Sequence, residues 1–473
     1  METITAAVSS ALRAVLLLVC IPAAACSQPE AHLAIDAREH HQKMAGWEVT
    51  ARTWEFDKVN DRFDGAAAAQ RDALAAMIVN EAGIDRLRLE IKSGMENPVD
   101  YWSLFVAGKI GYREYKAHFY EKINDNADPD LLDPAGVQFS DLDWRVENVV
   151  VPVKRQLEAR GRRLWLNFAY VDFRSTELRG TLSHARNPSE YAELVVAAFS
   201  HLKAKYGLTP DSLEIIVEPD NTNEWNGVVI GRAIIAVSDR LSASGFQGVK
   251  IIAPATAKAR RALSYFEDIK SVPGAAARMT TLAYHRYEGE PDTLDLNEIR
   301  DAAHASRMQT AMSEYVDGDI TDLLADLNDA DATVWQSYGI AARLPWDEAT
   351  RPGTLISARG PAGVRPVLSV TPATRAMALI FNTVDQGSRR IGVRSNNQDF
   401  AGTGFLTPQG KLVVVGHAQA ALPVAISGLR AGRYQLAIVG TDGRVGKRPM
   451  LVPATGEVKL KVATGATFSF MEE

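Results

Sequence analysis

Residues 213–221 read Leu-Glu-Ile-Ile-Val-Glu-Pro-Asp-Asn, an apolar run that meets Glu218 and then breaks at a proline. Residues 310–315 read Thr-Ala-Met-Ser-Glu-Tyr and have the same form, with Glu314 near the end. A short apolar run bounded by turn residues is typical of a buried strand, which proline does not continue. Both stretches therefore predict a buried strand that carries a glutamate at its carboxyl end.

Short apolar runs alternate with longer amphipathic runs from Trp47 to Trp346, which indicates βα units. The interval from Glu218 to Glu314 equals three units of about 32 residues, the spacing of an eight-unit barrel. We therefore predict a (β/α)8 TIM barrel over residues 46–350, with the two glutamates on strands four and seven. The eight predicted strands are residues 46–51, 86–91, 163–169, 213–218, 250–253, 279–285, 309–314 and 333–336. The helices predicted between them are residues 67–82, 189–206, 228–244 and 294–306.

The interval after the second predicted strand is longer than one βα unit needs. Its excess, residues 92–145, predicts an inserted loop at the carboxyl ends of the strands, the face on which barrel enzymes keep their chemistry. The insertion carries four large aromatic residues, which are Trp102, Tyr112, Tyr115 and Trp144.

The sequence changes character after about residue 352, where helical periodicity gives way to short alternating runs separated by turns. This pattern predicts a β-sandwich over residues 351–473. All eight tryptophans precede residue 350, so the predicted sandwich lacks the aromatic platform of a sugar-binding module, and we expect it to brace the barrel. Its predicted strands are residues 376–382, 411–416, 422–426, 434–439, 457–461 and 466–470.

The amino-terminal segment predicts export. Arg13 precedes an apolar run over residues 14–25 that is too short to span a bilayer and ends in small residues, as in a signal peptide over residues 1–26. Residues 23–26, Ala-Ala-Ala-Cys, resemble a bacterial lipobox, in which Cys26 receives the lipid. The expected location is periplasmic or membrane-anchored as a lipoprotein, or secreted. Simple cleavage near Ala25 without a lipid is the alternative.

Bulk properties exclude several classes of partner and cofactor. A net charge of −6, without a run of Lys or Arg, argues against nucleic acid and anionic membranes as partners. Nucleophile elbows, metal-binding helices, phosphate loops and dinucleotide fingerprints are absent from the sequence. Residues 326–331 are acidic but lack the glycine and the distant glutamate of a calcium loop. We therefore expect no cofactor and no metal, and the oligomeric state stays open.

Two carboxylates that face each other at the mouth of a barrel are what glycoside hydrolysis requires. Residues 217–220, Val-Glu-Pro-Asp, resemble the Asn-Glu-Pro motif after strand four of clan A glycoside hydrolases. Residues 313–315, Ser-Glu-Tyr, resemble the sequence around their strand-seven nucleophile. Residues 34–47 are similar to the opening of glycoside hydrolase family 30, while families 39, 51 and 79 share much of the pattern. The resemblance implies that residues 27–45 supply an amino-terminal strand to the β-sandwich.

The resemblance also implies roles for the two glutamates. Glu218 would be the general acid/base and Glu314 the nucleophile of a retaining hydrolase, with carboxyl groups about 5 Å apart and a covalent glycosyl-enzyme. Glu224, six residues beyond the end of the predicted strand, is an alternative acid. Val217 departs from the family pattern, because valine cannot donate the hydrogen bond that asparagine gives to the sugar 2-hydroxyl. We expect either that Asn221 or Asn223 replaces it from the following loop, or that the substrate presents its C2 substituent differently.

Supporting residues follow from the same resemblance. Arg88 matches the strand-two arginine that orients the nucleophile, and His285 and Tyr287 match the strand-six His-x-Tyr pattern. Trp335 at the end of strand eight is a candidate floor for the sugar subsite, because flat aromatic faces suit the C–H faces of pyranose rings. Trp47 could serve likewise. Trp54 and Trp225 are two further candidates of the same kind.

These observations together predict an exported retaining glycoside hydrolase that cleaves β-glycosidic bonds in a poly- or oligosaccharide. A non-catalytic glycan-binding lipoprotein on the same barrel is one alternative, supported by Val217. A transglycosylase with the same residues is the other.

Overall fold

The structure of the protein is a computed structural model that describes residues 30–344, apart from 175 and 177, and residues 353–473, apart from 362 and 363. The predicted signal peptide over residues 1–26, with its lipobox and Cys26, lies outside the described residues. Within the described ranges, every helix is too short or too polar to cross a membrane.

Eight parallel strands close into a barrel, since strand seven pairs with strand six and with strand eight, and strand one pairs with strands two and eight. Most of their residues are buried on both faces, which explains why they read as near-continuous apolar runs. The predicted (β/α)8 barrel is confirmed. In chain order the strands are Gly46–Thr50, Arg86–Lys92, Trp165–Val171, Ser212–Glu214, Lys250–Thr256, Met279–His285, Gln309–Tyr315 and Ala332–Leu344.

Helices surround the barrel, and several begin at clear caps. Asp292 and Asp319 each form a capping box with the aspartate three residues later, so the first turns of the two helices that follow are satisfied. The predicted helix at residues 67–82 divides into a 3-10 turn, an α-helix and a π-turn. The α-helices around the barrel are Arg71–Met77, Val151–Glu158, Pro188–Tyr206, Gly227–Ala243, Ala262–Lys270, Thr293–Ala305 and Ile320–Asp329.

A polar network fills the amino-terminal end of the barrel interior. Glu48 on strand one accepts hydrogen bonds from Arg86 Nε at 2.9 Å and from Asn167 Nδ2 at 3.2 Å. Because side chains alternate along a strand, Arg88 lies on the same inward face as Arg86, one layer nearer the carboxyl ends. The network therefore fixes the register of strand two and directs Arg88 toward the barrel mouth.

The insertion after strand two is an ordered cap rather than an irregular loop. It contains the helices Tyr101–Val106, Tyr112–Ala117 and Ser140–Arg145. Its aromatic residues pack together, and Trp102, Tyr112 and Tyr115 are all buried. They cover the ends of strands three and four, so they form a small core of their own and do not present ring faces to solvent.

The carboxyl-terminal region forms a nine-stranded, mostly antiparallel sheet around a second core. The amino-terminal strand, Ala31–Lys43, lies inside this sheet between Arg389–Ser395, to which it is antiparallel, and Leu422–Ser427, to which it is parallel. The predicted β-sandwich and its amino-terminal strand are confirmed. The other strands of the sheet are Phe400–Leu406, Leu412–Ala418, Gly432–Val439, Val445–Val452, Val458–Val462 and Thr467–Glu472.

Two details of the predicted sandwich are wrong. Residues 376–382 are not a strand; they fall mostly in the helix Pro372–Phe381, which begins at a Thr371 cap. Thr354–Arg359 and Val367–Val370 extend the barrel sheet from the long strand eight. The change from one sheet to the other therefore falls after Phe381 and not at residue 351.

Candidate active site

Strand seven carries Glu314 to the barrel mouth. Arg88 donates to its Oε2 through Nη2, and the Tyr287 hydroxyl donates to its Oε1 at 2.8 Å. Both oxygens of this carboxylate are thus held by protein donors, and the side chain is only slightly exposed. Such a carboxylate is fixed in position and oriented before any ligand arrives.

Strand four ends earlier than predicted, at Glu214, and Glu218 lies beyond it. The backbone still follows the barrel, since the Glu218 amide donates to the Ala255 carbonyl at 3.0 Å. Glu218 itself adopts a left-handed φ of +50° before the Pro219–Asn221 turn. This conformation is uncommon outside glycine, and residues held in it recur at active sites.

Glu218 is oriented by two neighbours. His285 Nδ1 lies 3.0 Å from its Oε1, and Asn221 Nδ2 donates to its Oε2 at 2.7 Å. His285 is the last residue of strand six and is fully buried, whereas Asn221 belongs to the turn that follows Glu218. Strands four and six therefore determine the position of this second carboxylate.

Glu218, His285 and Glu314 converge. One carboxylate oxygen of each glutamate and one ring nitrogen of His285 all lie within 4.8 Å of one another. The structure thus brings together the two glutamates and four of the seven other predicted site residues, namely Arg88, Asn221, His285 and Tyr287. Arg88 is paired with Glu314, so a metal ion bound to this group would meet an existing cation.

Protonation differs across the site. Burial raises the pKa of Glu314, but Arg88, His285 and the two hydrogen bonds outweigh it, so the pKa lies below its usual value. Burial lowers the pKa of His285, but the hydrogen bond to Glu218 and the charges of Glu314, Glu218 and Glu214 outweigh it and raise the pKa overall. The site therefore favours the ionised form of Glu314 and raises the proton affinity of the neighbouring imidazole.

Two more carboxylates at the site were missed by the sequence interpretation. Glu214 is fully buried 3.6 Å from Arg88 Nη1, and burial raises its pKa to about 7. Glu90 Oε1 lies 3.9 Å from Arg88 Nη2 and is slightly exposed. The alternation Arg86, Arg88, Glu90 on strand two was the available signal, since residues two apart share a face.

The tryptophan predictions are wrong for Trp47 and Trp335. Both side chains are fully buried, and Trp47 stacks on Phe381 with ring centroids 4.6 Å apart. The indole nitrogens donate to the Val384 carbonyl and to Asp326 Oδ2, at 2.8 and 2.9 Å. These rings face the core between the barrel and the helix Pro372–Phe381, so they cannot form the floor of a sugar subsite. Trp225 is likewise buried.

Glu224 and Asn223 lie apart from the convergent group. Glu224 is within 3.8 Å of Arg174 and of Arg179, and it accepts a hydrogen bond from Ser183 at 3.3 Å. Asn223 is exposed and bonds neither glutamate. The structure therefore gives no support to Glu224 as the acid or to Asn223 as a replacement for the missing asparagine.

Val217 is buried among the aromatic residues of the insertion, including Trp102 and Tyr115. Its amide donates to the Tyr170 carbonyl at 2.9 Å. The apolar side chain at this position therefore packs under the cap formed by the insertion, which explains why valine stands where the family pattern has asparagine.

A cavity of about 620 Å³ opens beside the site, between the loops after strands one and eight. Its lining includes Arg52, Trp54, Tyr112, Val316 and Tyr338. Val316 lies two residues after Glu314, and the pKa of Tyr338, raised to about 12 chiefly by burial, also responds to the charge of Glu314. The lining of the cavity thus includes the segment that follows Glu314 but neither glutamate itself.

Comparisons place the fold among known structures. No protein-family model and no curated protein matches the sequence. A glycoside hydrolase family 30 endoxylanase from Clostridium papyrosolvens is similar over 94% of this chain and 100% of its own, with 13% identity and a TM-score of 0.64. A conserved exported protein from Bacteroides fragilis matches 93% of this chain and 99% of its own, at 13% identity and a TM-score of 0.63. An endo-β1,6-glucanase matches 93% and 94%, at 14% identity and a TM-score of 0.60. The likeness covers the barrel and the β-sandwich together.

Proposed function

We propose that this protein is a retaining glycoside hydrolase that cleaves β-glycosidic bonds in a poly- or oligosaccharide. The observation that carries the proposal is the short separation of Glu218 and Glu314. One carboxylate oxygen of Glu218 lies within 4.8 Å of one carboxylate oxygen of Glu314. Carboxyl groups about 5–5.5 Å apart belong to retaining enzymes, whereas inverting enzymes need a gap of about 6.5–9.5 Å for a water molecule.

The reaction proceeds in two displacements. Glu314 attacks the anomeric carbon while Glu218 gives its proton to the departing glycosidic oxygen, which leaves as an alcohol. A covalent bond then joins Glu314 to the sugar. Glu218, now a carboxylate, takes a proton from water, and the oxygen of that water attacks the anomeric carbon and releases Glu314. The proton that Glu218 gives up in the first displacement is therefore restored from water in the second.

The neighbours of the two glutamates support this assignment. Arg88 and Tyr287 hold Glu314 with their hydrogen bonds, and Arg88 favours the ionised form that a nucleophile requires. His285 and Asn221 orient Glu218, and the second ring nitrogen of His285 has no partner among the described residues.

The substrate class rests on the comparisons and on the cavity. Two of the similar structures are an endoxylanase and an endo-β1,6-glucanase, which act on glycans. The cavity beside Glu314 offers Arg52 and Tyr338 as polar groups and Trp54 as an aromatic face, a lining that suits a pyranose residue. Export, with or without a lipid on Cys26, agrees with a polysaccharide substrate outside the cytoplasm.

Substitution of the two glutamates tests the proposal. Glu218→Gln and Glu314→Gln should each lower kcat by about 10²–10⁴-fold on any glycan that the wild type cleaves. Glu224→Gln is the matched control and should keep wild-type kcat, because Glu224 is ion-paired outside the site. An activated 2-deoxy-2-fluoro glycoside should label Glu314 covalently.

The same experiment separates the alternatives. Glycan binding without hydrolysis or labelling would identify a non-catalytic binder and contradict the proposal. Labelling of Glu314 with transfer to an added acceptor sugar, and no release to water, would identify a transglycosylase.

A further inference from the structure

A second acidic cluster lies beneath the insertion, away from Glu218 and Glu314. It consists of Glu96, Asp125 and Glu190, and one carboxylate oxygen of each lies within 4.8 Å of the others. Glu96 follows strand two, Asp125 belongs to the loop of the insertion, and Glu190 stands in the first turn of the helix Pro188–Tyr206. Three separate segments of the chain therefore meet at this point.

Two of the three carboxylates are buried, Asp125 is half-buried, and the cluster contains oxygens without partners. Glu96 is 2% exposed and Glu190 is 8% exposed. Glu96 Oε1, Glu190 Oε2 and the nearby Asn124 Oδ1 are buried and have no hydrogen-bond partner among the described residues. All three atoms are hydrogen-bond acceptors. They could be satisfied either by one cation bound between them or by several hydrogen-bond donors.

The cluster has few protein partners. Asp125 accepts hydrogen bonds from the backbone amides of Asn126 and Asp133 and from Asn126 Nδ2, and His184 pairs with Glu96. His184 Nε2 lies 2.6 Å from Glu96 Oε2, and its other ring nitrogen lies 2.6 Å from the Tyr170 hydroxyl. The hydrogen bonds from Tyr170 through His184 hold the Glu96 carboxylate in place and leave its Oε1 free. Metal-binding carboxylates are commonly oriented in the same way by hydrogen bonds to their second oxygen.

Buried carboxylates at this spacing are unstable unless a proton or a cation neutralises them. Oxygens that bind one calcium ion at about 2.3–2.6 Å lie at most about 5 Å apart, and calcium takes only oxygen ligands. The spacing and the donor set both fit that ion.

We propose that Glu96, Asp125 and Glu190, with Asn124 beside them, bind one Ca²⁺ ion that ties the insertion to the helix Pro188–Tyr206. The ion joins the cap over strands three and four to the barrel wall. Its role is structural, and the site is independent of the hydrolytic reaction.

Calcium titration of the full chain tests the proposal. After treatment with a chelator, the wild type should bind one equivalent of Ca²⁺ by calorimetry, with a Kd of about 10⁻⁵–10⁻³ M, and its Tm should rise with the ion. Mg²⁺ at the same concentration should have a smaller effect, because it demands a tighter octahedral site. Absence of Ca²⁺ binding by the wild type would overturn the proposal and leave a proton as the neutralising group.

Variants locate the site. Asp125→Asn and Glu190→Gln should raise the Kd by about tenfold or more, since each removes one charged ligand. Asp130→Asn is the matched control in the same loop, because it removes the same charge from a side chain that is 91% exposed. Unchanged binding in the first two variants would place the ion elsewhere and overturn the proposal.

Limited proteolysis of the wild type gives a readout that does not depend on the folding of any variant. Ca²⁺ should slow cleavage within residues 93–145 relative to the chelated protein, because the ion holds the loop of Asp125 against the barrel. Equal cleavage of the insertion with and without the ion would contradict the proposed role.

Discussion

At the residue scale, the site depends on where four strand ends place a few side chains. Arg88 on strand two and Glu314 on strand seven meet across the barrel, and His285 on strand six reaches Glu218. The spacing of βα units predicted that the two glutamates lie at one face. The left-handed conformation of Glu218 and the presence of Glu214 beneath it depend on contacts with neighbouring strands, which no local pattern encodes.

Arg88 should set the acid limb of the pH profile. The pKa of Glu314 in the folded protein lies below its value in the unfolded chain. The ionised carboxylate therefore contributes its full stability above the unfolded pKa, and this stability is lost as the pH falls through the lower folded pKa. Arg88→Met leaves burial without the opposing charge, so the acid limb of kcat/KM should move to higher pH. Arg88→Lys retains a charge and should move it less. The measurement is kcat/KM against pH for the three proteins, and an unmoved acid limb in Arg88→Met would contradict the assigned role.

The reason for valine at position 217 could not be found from the motif alone. The departure from asparagine was visible in the sequence, and it suggested either an altered sugar contact or lost activity. The structure gives a packing reason, since Val217 belongs to the apolar cluster under the insertion. This packing involves residues 93–145, which lie more than 70 residues upstream, so it becomes visible only in the folded structure.

At the scale of elements, strongly periodic helices and buried strands were predicted well, and short apolar runs were not. The strand Met279–His285 was predicted at its observed bounds, and the helices from Pro188 and Gly227 within one residue. Residues 376–382 were assigned to a strand because a brief apolar run fits either structure. The signal that decides for a helix was present, since Thr371 is a side-chain cap and Pro372 occupies the first helical position.

The cap of this helix gives a prediction at the element scale. Thr371 Oγ1 accepts from the Thr374 amide at 3.2 Å, and the helix packs against the barrel through Phe381. Thr371→Ala should lower the free energy of unfolding by about 1 kcal/mol, because one backbone donor loses its partner. Thr371→Ser keeps the hydroxyl and is the control. Denaturant unfolding of both variants makes the comparison, and equal losses would show that the cap contributes nothing.

At the scale of the whole molecule, the amino-terminal strand joins the two sheets. Ala31–Lys43 is central in the β-sandwich, and barrel strand one begins three residues later at Gly46. Side chains cross the junction as well, since Arg390 Nη2 lies 2.6 Å from Asp331 and Gln42 Nε2 donates to the Leu327 carbonyl at 2.8 Å. These links predict that the β-sandwich and the barrel unfold as one cooperative unit.

Tryptophan fluorescence can test this coupling, because all eight tryptophans precede residue 350 and so report on the barrel side of the molecule. Leu33 is fully buried in the core of the β-sandwich, and Leu33→Ala should cost about 2–5 kcal/mol. The fluorescence-detected midpoint should fall although no tryptophan lies in that core. Arg38→Ala, at a side chain that is 92% exposed in the same strand, is the control. An unchanged fluorescence midpoint with a shifted circular-dichroism midpoint would show two independent units.

The sequence by itself determined the barrel, the β-sandwich and the two glutamates at strand ends, because period, strand spacing and local motifs are properties of short segments. The strand that joins the two sheets was implied by the family resemblance. Tertiary structure alone decided which aromatic rings are core, since Trp47 and Trp335 were misassigned until the helix Pro372–Phe381 was seen to cover them. It also decided the meeting of Glu96, Asp125 and Glu190. A local pattern predicts that a strand is buried, but which side chains from distant segments meet is set only when the chain folds.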